Sequence, residues 1–162
     1  FVPGDLGSCC FVNRGETVSQ GVDMEIQGEL LPGLQVSASH VYNSVSDKTD
    51  GSVPYNTTVA PRHSAKLWSR YQLPGTWSAL AIGGGLTAQS RTYAEGSAFY
   101  FAQGGYLLAN LFTTWQLDRR WQLGMNVSNL FDRHYYASIT EPSYGNYYGE
   151  PRRFTLSLKG TL

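Results

Sequence analysis

The sequence has few charged residues and no long apolar run, and both scarcities exclude whole classes of protein. Charged residues make up 15% of the 162 residues, below the roughly 25% that is typical of soluble domains. The 12 basic and 12 acidic side chains balance, which removes the electrostatic argument for a nucleic-acid partner. Because no stretch of about 18 apolar residues occurs, we expect no transmembrane helix.

Cysteine is limited to Cys9 and Cys10, which are adjacent. Neighbouring residues are poorly placed to form an ordinary disulfide with each other, so each is expected to pair with a cysteine outside this chain. No further cysteine and no nearby histidine supports a metal or redox site there. The chain starts at Phe1 without the basic and apolar segments of a signal peptide, and we expect it to continue a longer polypeptide.

What the sequence does contain is long segments in which apolar and polar residues alternate. One runs from Val18 to Leu30 and another from Phe154 to Leu162. Successive side chains of a strand point to opposite faces, so each segment is predicted to form an amphipathic strand. Both exceed the roughly 5–6 residues of an ordinary strand. Strands of about 9–11 residues are long enough to cross a bilayer when tilted.

Seven strands are predicted, joined alternately by short turns and long loops. Their bounds are 16–30, 34–45, 62–72, 78–92, 104–117, 121–131 and 150–162. Short turns on one side and long loops on the other are typical of bacterial outer-membrane barrels, which have an even number of strands. An open sheet also leaves unpaired backbone groups at its edges in the hydrocarbon. We therefore expect an all-β, antiparallel transmembrane segment of a larger barrel.

The two rows of alternating side chains differ in charge, and this difference predicts which row meets lipid. The row that includes Ile26, Ile82 and Met125 has no formal charge in the central part of the strands. An Arg or Lys turned toward lipid at the bilayer midplane costs about 2–4 kcal/mol, so this row is expected to face lipid. The charged row is expected to face the interior and contains Asp23, Glu25, Lys66, Arg70, Arg153 and Lys159.

Aromatic residues cluster near both ends of the predicted strands, as in the girdles at the two membrane interfaces. His40 lies on the uncharged row, and we expect it at headgroup level beside Tyr42 rather than in a ligand site. The cluster beside the short turns contains Tyr71, Trp77, Trp115 and Trp121. The cluster beside the long loops contains Tyr42, Tyr93, Tyr106, Phe131, Tyr135 and Tyr136.

Two motifs near the end of the chain resemble the C-terminal region of TonB-dependent outer-membrane receptors. Residues 129–136 read NLFDRHYY, and residues 148–154 read YGEPRRF. Upstream, the adjacent cysteines and residues 21–30 resemble the ferric-siderophore branch of coprogen or pyoverdine type. The resemblance implies that residues 1–162 are the C-terminal part of a barrel of about 22 strands, a size associated with a plugged lumen. The plug domain and the N-terminal strands would lie outside this chain.

The function implied by this resemblance is energy-coupled import of a ferric siderophore through the outer membrane of a Gram-negative bacterium. Outer-membrane lipid would surround the barrel, and TonB–ExbB–ExbD would act through the N-terminal plug. No cofactor is implied. Three alternatives stay open: a receptor for haem or a cobalamin, a passive binding or adhesion barrel without energy coupling, and a soluble β-sandwich binding module.

No catalytic or metal-binding arrangement is predicted, and the chain is not expected to be an enzyme. His40, His63 and His134 are far apart in the sequence and lack metal-ligand spacing. Residues 83–85 read GGG but lack the strand, loop and helix of a phosphate-binding loop. We expect these glycines to let the wall bend or to let the backbone of the plug approach closely. Glu150 is expected to fix the last loop by pairing with arginines, and the candidates are Arg133 and Arg152.

Ligand contact is expected from the long loops, because aromatic side chains give a bulky siderophore contact area at small entropic cost. Tyr144 is the strongest single candidate, since its position resembles that of a ligand-facing tyrosine in pyoverdine-type receptors. Arg91 is a candidate anion partner. The tyrosine candidates are Tyr93, Tyr100, Tyr144 and Tyr147.

Overall fold

Seven long strands form one antiparallel sheet in the computed structural model, which describes residues 2–3, 11–12, 17–47, 61–96, 98–140 and 145–161. Each strand pairs with its neighbours in the chain, so the sheet order follows the sequence. The strands are β1 (Thr17–Leu31), β2 (Leu34–Asp47), β3 (His63–Gln72), β4 (Leu80–Gln89), β5 (Tyr106–Gln116), β6 (Trp121–Ser128) and β7 (Arg153–Gly160).

This arrangement confirms the predicted all-β antiparallel sheet. Strands β1 and β7 are its two edges, and within the described ranges the sheet does not close on itself. The described part of the chain contains no helix long and apolar enough to cross a membrane. Cys9 and Cys10 lie outside the described residues, and their pairing stays a prediction.

Short turns join the strands at one end of the sheet. Gly33 adopts a φ of 81° between β1 and β2, and its backbone N–H donates to Glu29 Oε1 at 2.7 Å. A 3-10 turn, Gly75–Trp77, follows β3. Between β5 and β6, Asp118 Oδ1 accepts hydrogen bonds from the backbone N–H groups of Arg120 at 2.6 Å and Trp121 at 2.9 Å.

The strand register confirms the two predicted rows as the two faces of the sheet. Ile82 lies opposite Tyr71 and Thr113, and Met125 lies opposite Thr113 and Leu156. We call this side the uncharged face. The opposite side, the charged face, carries all the ionised side chains predicted for it, namely Asp23, Glu25, Lys66, Arg70, Arg153 and Lys159.

Large apolar side chains stay uncovered on the uncharged face. Ile26 is 74% exposed and Leu156 is 73% exposed. A contiguous apolar surface of this kind marks a region that lipid or another protein covers. The register also places Tyr71, Trp115 and Trp121 at the short-turn end of the sheet. The aromatic side chains thus stand near the ends of the strands, as the girdle pattern predicted.

The long connection predicted over residues 93–103 is present, but it is a β-hairpin and not an irregular loop. Strand β4 ends at Gln89 instead of residue 92, and Thr92–Gly96 then pairs with Phe99–Gln103. The physical reason is a second alternation of side chains, in which Thr92 and Ala94 are buried while Glu95 is exposed.

The segment after β6 contains a shorter strand pair, Tyr136–Ser138 with Tyr147–Tyr148. Strand β6 itself ends three residues earlier than predicted, at Ser128, because Asn129 adopts a φ of 49°. A further short pair, Val2–Pro3 with Phe11–Val12, precedes β1.

The two hairpins at the long-loop end pack against each other. Ala94 and Ile139 are buried there, with exposed fractions of 0% and 2%. The Phe101 ring meets the Tyr136 ring edge-on with centroids 5.7 Å apart, and the Tyr136 N–H donates to Gln103 Oε1 at 3.0 Å. These connections therefore form a packed layer that can hold ligand-binding side chains in place.

Candidate functional site

A groove of about 500 Å³ opens at the long-loop end of β3 and β4. Two hydrogen bonds connect His63 and Ser90, which both line the groove. The Ser90 N–H donates to the His63 carbonyl at 2.8 Å, and the His63 N–H donates to Ser90 Oγ at 3.0 Å. The lining consists of Arg62, His63, Ser90, Arg91, Tyr93, Glu95 and Tyr100.

Aromatic and cationic groups are stacked along this groove. The rings of Tyr93 and Tyr100 are stacked with centroids 5.6 Å apart, and the Arg91 guanidinium lies 5.9 Å from the centre of the Tyr93 ring. At this distance a cation is attracted to the ring face. Arg62 and Arg91 outnumber Glu95, so the lining carries a surplus of positive charge. Such a groove suits an anionic ligand with flat or apolar parts.

Three of the five predicted ligand-binding residues meet in this groove: Arg91, Tyr93 and Tyr100. Tyr147 does not line it, because this side chain lies on the other hairpin, where it is 69% exposed. Tyr144 lies outside the described residues. The structure therefore brings together the candidates of one connection and places Tyr147 apart from them.

Sequence reasoning missed Arg62 and His63 as groove residues. Arg62 directly precedes β3 on the long-loop side. The sequence could have identified Arg62 from the end of the sheet at which it lies. Arg91, which follows β4, lies at that same end. The contribution of His63 depends on its pairing with Ser90, which no spacing in the sequence reveals.

The first residue of the NLFD motif, Asn129, links two strands through hydrogen bonds of its side chain. The buried Asn129 amide group donates to the carbonyls of Arg133 and Glu150, both at 2.9 Å, and its Oδ1 accepts from the Arg133 N–H at 2.9 Å. The Asn129 N–H donates to Asn110 Oδ1 on β5 at 2.9 Å. One side chain thus connects the end of β6 with the entry into β7.

Two ion pairs strengthen the approach to β7, and they differ from the predicted ones. Glu150 contacts Arg153 at 3.3 Å rather than Arg133 or Arg152. Arg152 instead contacts Asp132 at 3.8 Å, and its N–H donates to Asp132 Oδ1 at 3.0 Å. The predicted partners of Glu150 are therefore wrong. The reason is that Asp132, which adopts a φ of 52°, holds the backbone of Arg152.

Gly83, the first of three consecutive glycines in β4, makes room for an aromatic stack on the charged face. The rings of Trp68 and Phe112 are stacked with centroids 5.6 Å apart. A Cβ atom at Gly83 would overlap the Phe112 ring, so only glycine leaves space for this packing. The predicted bend of the wall and the predicted approach of the plug backbone stay predictions, and the side chain close to Gly83 here is Phe112 of the neighbouring strand.

A tyrosine pair closes the second hairpin. The hydroxyl oxygens of Tyr136 and Tyr148 lie 3.0 Å apart and their rings are stacked at 4.5 Å. This hydrogen bond, with a smaller contribution from desolvation, raises the pKa of Tyr136 above its ordinary value of 10.0. A raised pKa means that the fold favours the neutral phenol, so the contact is lost only as the pH rises through that pKa.

Two histidines that we expected to be far apart are in contact. Nε2 of His40 lies 3.3 Å from Nδ1 of His63, and the two rings are stacked. The expectation was wrong because β2 and β3 are neighbours, and their register places Tyr42 opposite His63. Among the residues that the structure describes, no three His, Cys, Asp or Glu side chains are grouped to hold a metal ion.

The chain is similar to known receptors along most of its length. It is 34% identical over 159 residues to the ferric-pyoverdine M114 receptor PbuA of Pseudomonas sp. (strain M114), covering 94% of this chain and 19% of that protein. It is 32% identical over 153 residues to the ferrichrome outer membrane transporter/phage receptor of Escherichia coli K12, covering 91% of this chain and 20% of that protein.

A solved structure with the same fold is the ferripyoverdine receptor of the outer membrane of Pseudomonas aeruginosa bound to ferripyoverdine. Its TM-score is 0.76 at 27% identity, and the match covers 90% of this chain and 20% of that chain. The present chain thus spans about a fifth of the length of the curated relatives it matches.

The family described as "TonB dependent receptor-like, beta-barrel" matches residues 2–130, which is more than half of the chain. Together with the open antiparallel sheet, its uncharged face and its packed hairpins, this match shows that the chain belongs to the β-barrel family of TonB-dependent receptors.

Proposed function

We propose that this chain forms part of the barrel wall and of the external ligand surface of an outer-membrane receptor that imports a ferric siderophore into a Gram-negative bacterium. The single observation that carries the proposal is the groove in which Arg62 and Arg91 flank the stacked Tyr93–Tyr100 pair. The relatives named for ferric-pyoverdine and ferrichrome transport support it.

The chemistry of this groove is binding and orientation rather than catalysis. Cationic side chains attract an anionic ligand and raise its local concentration. The stacked tyrosine rings offer a large contact area with few rotatable bonds, so little conformational entropy is lost on binding. The iron travels as cargo within the siderophore.

We further propose that residues 1–162 are the C-terminal part of the barrel and that an N-terminal plug fills its lumen. Energy would reach the bound siderophore through that plug from TonB–ExbB–ExbD. The charged face offers the plug polar groups and the Trp68–Phe112 stack. Tyr144 and Tyr147 stay proposed ligand contacts.

Replacing Tyr100 with Ala in the full-length receptor is expected to weaken ferripyoverdine binding about threefold to tenfold. The change removes the ring that stacks on Tyr93, and aromatic pairs contribute about 0.5–1.5 kcal/mol beyond their buried area. Binding is measured with radioiron-labelled ferripyoverdine on outer membranes that contain equal amounts of each receptor.

Tyr100→Phe is the matched control, because it keeps the ring and removes only the hydroxyl group. It is expected to bind ferripyoverdine like the parent receptor. Equal affinity of Tyr100→Ala and the parent would remove the groove from the ligand site. Measuring uptake in cells that lack TonB separates an energy-coupled receptor, whose uptake stops, from a passive barrel, whose uptake continues.

A further inference from the structure

The histidine pair occupies a defined place on the uncharged face. His40 lies opposite Ala65 and His63 lies opposite Tyr42, so the two histidines are diagonal neighbours on one face of adjacent antiparallel strands. Diagonal neighbours are within reach of long side chains. Nε2 of His40 and Nδ1 of His63 converge to 3.3 Å. The Tyr42 ring packs 5.0 Å from the His63 ring and limits its movement.

The separation of these nitrogen atoms fits a metal site. Zinc binds imidazole nitrogen at about 2.0–2.1 Å in tetrahedral geometry, which places two such ligands about 3.3–3.4 Å from each other. The observed distance is 3.3 Å, longer than the roughly 2.9–3.0 Å of ordinary hydrogen bonds donated by N–H groups. The pair therefore has the ligand spacing of a tetrahedral site without further backbone movement.

We propose that His40 and His63 bind one divalent transition-metal ion at the long-loop end of the uncharged face. Imidazole is a suitable ligand for Zn²⁺ and Cu²⁺. The nitrogen that carries the proton in the present contact passes it to the other nitrogen of the same ring, so both facing nitrogens have a lone pair available for the ion. Water or phosphate oxygen atoms complete the coordination, since His63 is exposed.

This site is separable from siderophore binding. His63 also lines the ligand groove, whereas His40 does not. A change at His40 therefore removes a metal ligand without removing a side chain that lines the groove. The site lies on the side of the wall that carries the exposed apolar residues, and its two ligands come from β2 and β3.

The test uses the full-length receptor in detergent, with any affinity tag removed, titrated with Cu²⁺ and followed by electron paramagnetic resonance. The parent receptor is expected to bind one Cu²⁺ with two nitrogen ligands at this site. His40→Gln should lower the affinity roughly tenfold or more, because losing a ligand costs at least as much as losing its supporting hydrogen bond. His134→Gln, at an exposed imidazole of the second long connection, is the matched control and should bind like the parent.

Two results would overturn the proposal: a parent spectrum with fewer than two nitrogen ligands, or equal Cu²⁺ affinity of His40→Gln and the parent. The parent spectrum does not depend on the folding of any variant. Ferripyoverdine binding by His40→Gln is expected to equal that of the parent, so failure of the metal site and failure of the siderophore proposal give different results.

Discussion

Replacing Asn129 with Ala is expected to lower the free energy of unfolding of the receptor by about 4 kcal/mol. The change removes three hydrogen bonds at 2.9 Å, each contributing about 1 kcal/mol, and leaves the Glu150 carbonyl without this donor. Alanine must also adopt the φ of 49° found here, at a further cost of about 1 kcal/mol. The loss is large because Asn129 is only 4% exposed.

Urea-induced unfolding of the receptor in lipid vesicles measures this loss. Asn126→Ala is the matched control, because Asn126 lies three residues earlier, on β6, and its amide makes one long hydrogen bond, at 3.3 Å, to Ser128 Oγ. Its expected cost is below about 1 kcal/mol. Equal losses in the free energy of unfolding for the two variants would show that the Asn129 hydrogen bonds do not hold β6 and β7 together.

Replacing Met125 with Arg is expected to destabilise the receptor by about 2–4 kcal/mol, the cost of turning a charged side chain toward lipid near the bilayer midplane. Met125 lies in the middle of β6 on the uncharged face, opposite Thr113 and Leu156, and is 49% exposed. Its side chain cannot withdraw into the wall, since the wall is a single sheet.

The control for this experiment lies one residue away. Asn126 points to the charged face, opposite Phe112 and Thr155. Asn126→Arg is expected to change the free energy of unfolding by less than about 1 kcal/mol, because polar interior positions accept charge. Unfolding in vesicles is measured for both variants, and a larger loss for Asn126→Arg than for Met125→Arg would contradict the assignment of the faces.

The seven-stranded sheet could be predicted from the sequence because it depends on the local alternation of apolar and polar residues. A row such as Val22, Met24 and Ile26 beside Asp23 and Glu25 defines both the strand and its two faces. This alternation also determines the pairing register of the strands, because a shift by one residue would turn every charged side chain to the opposite face.

The site could be predicted only in part because it depends on contacts between distant segments. Tyr93, Tyr100 and Arg91 were identified by residue type and loop position. Their stacking requires the hairpin that pairs Tyr93 with Ala102 and Glu95 with Tyr100. Short strands among polar residues carry a weak signal, so the sequence alone predicts a loop here.

The histidine pair shows the same limit more clearly. His40 and His63 are separated in the chain by the end of β2 and by residues outside the described ranges. Only the register of β2 and β3 brings their nitrogen atoms to 3.3 Å. Sequence spacing alone therefore argued against a contact that strand pairing creates.

The orientation of the wall is tested most directly by spin labels attached at position 82 and at position 66 of the receptor in lipid vesicles. Ile82 lies on the uncharged face and Lys66 on the charged face. The label at position 82 is expected to collide readily with oxygen dissolved in the bilayer, whereas the label at position 66 should collide mainly with a water-soluble nickel complex. The reverse pattern would contradict the proposed transmembrane wall and, with it, the transport function.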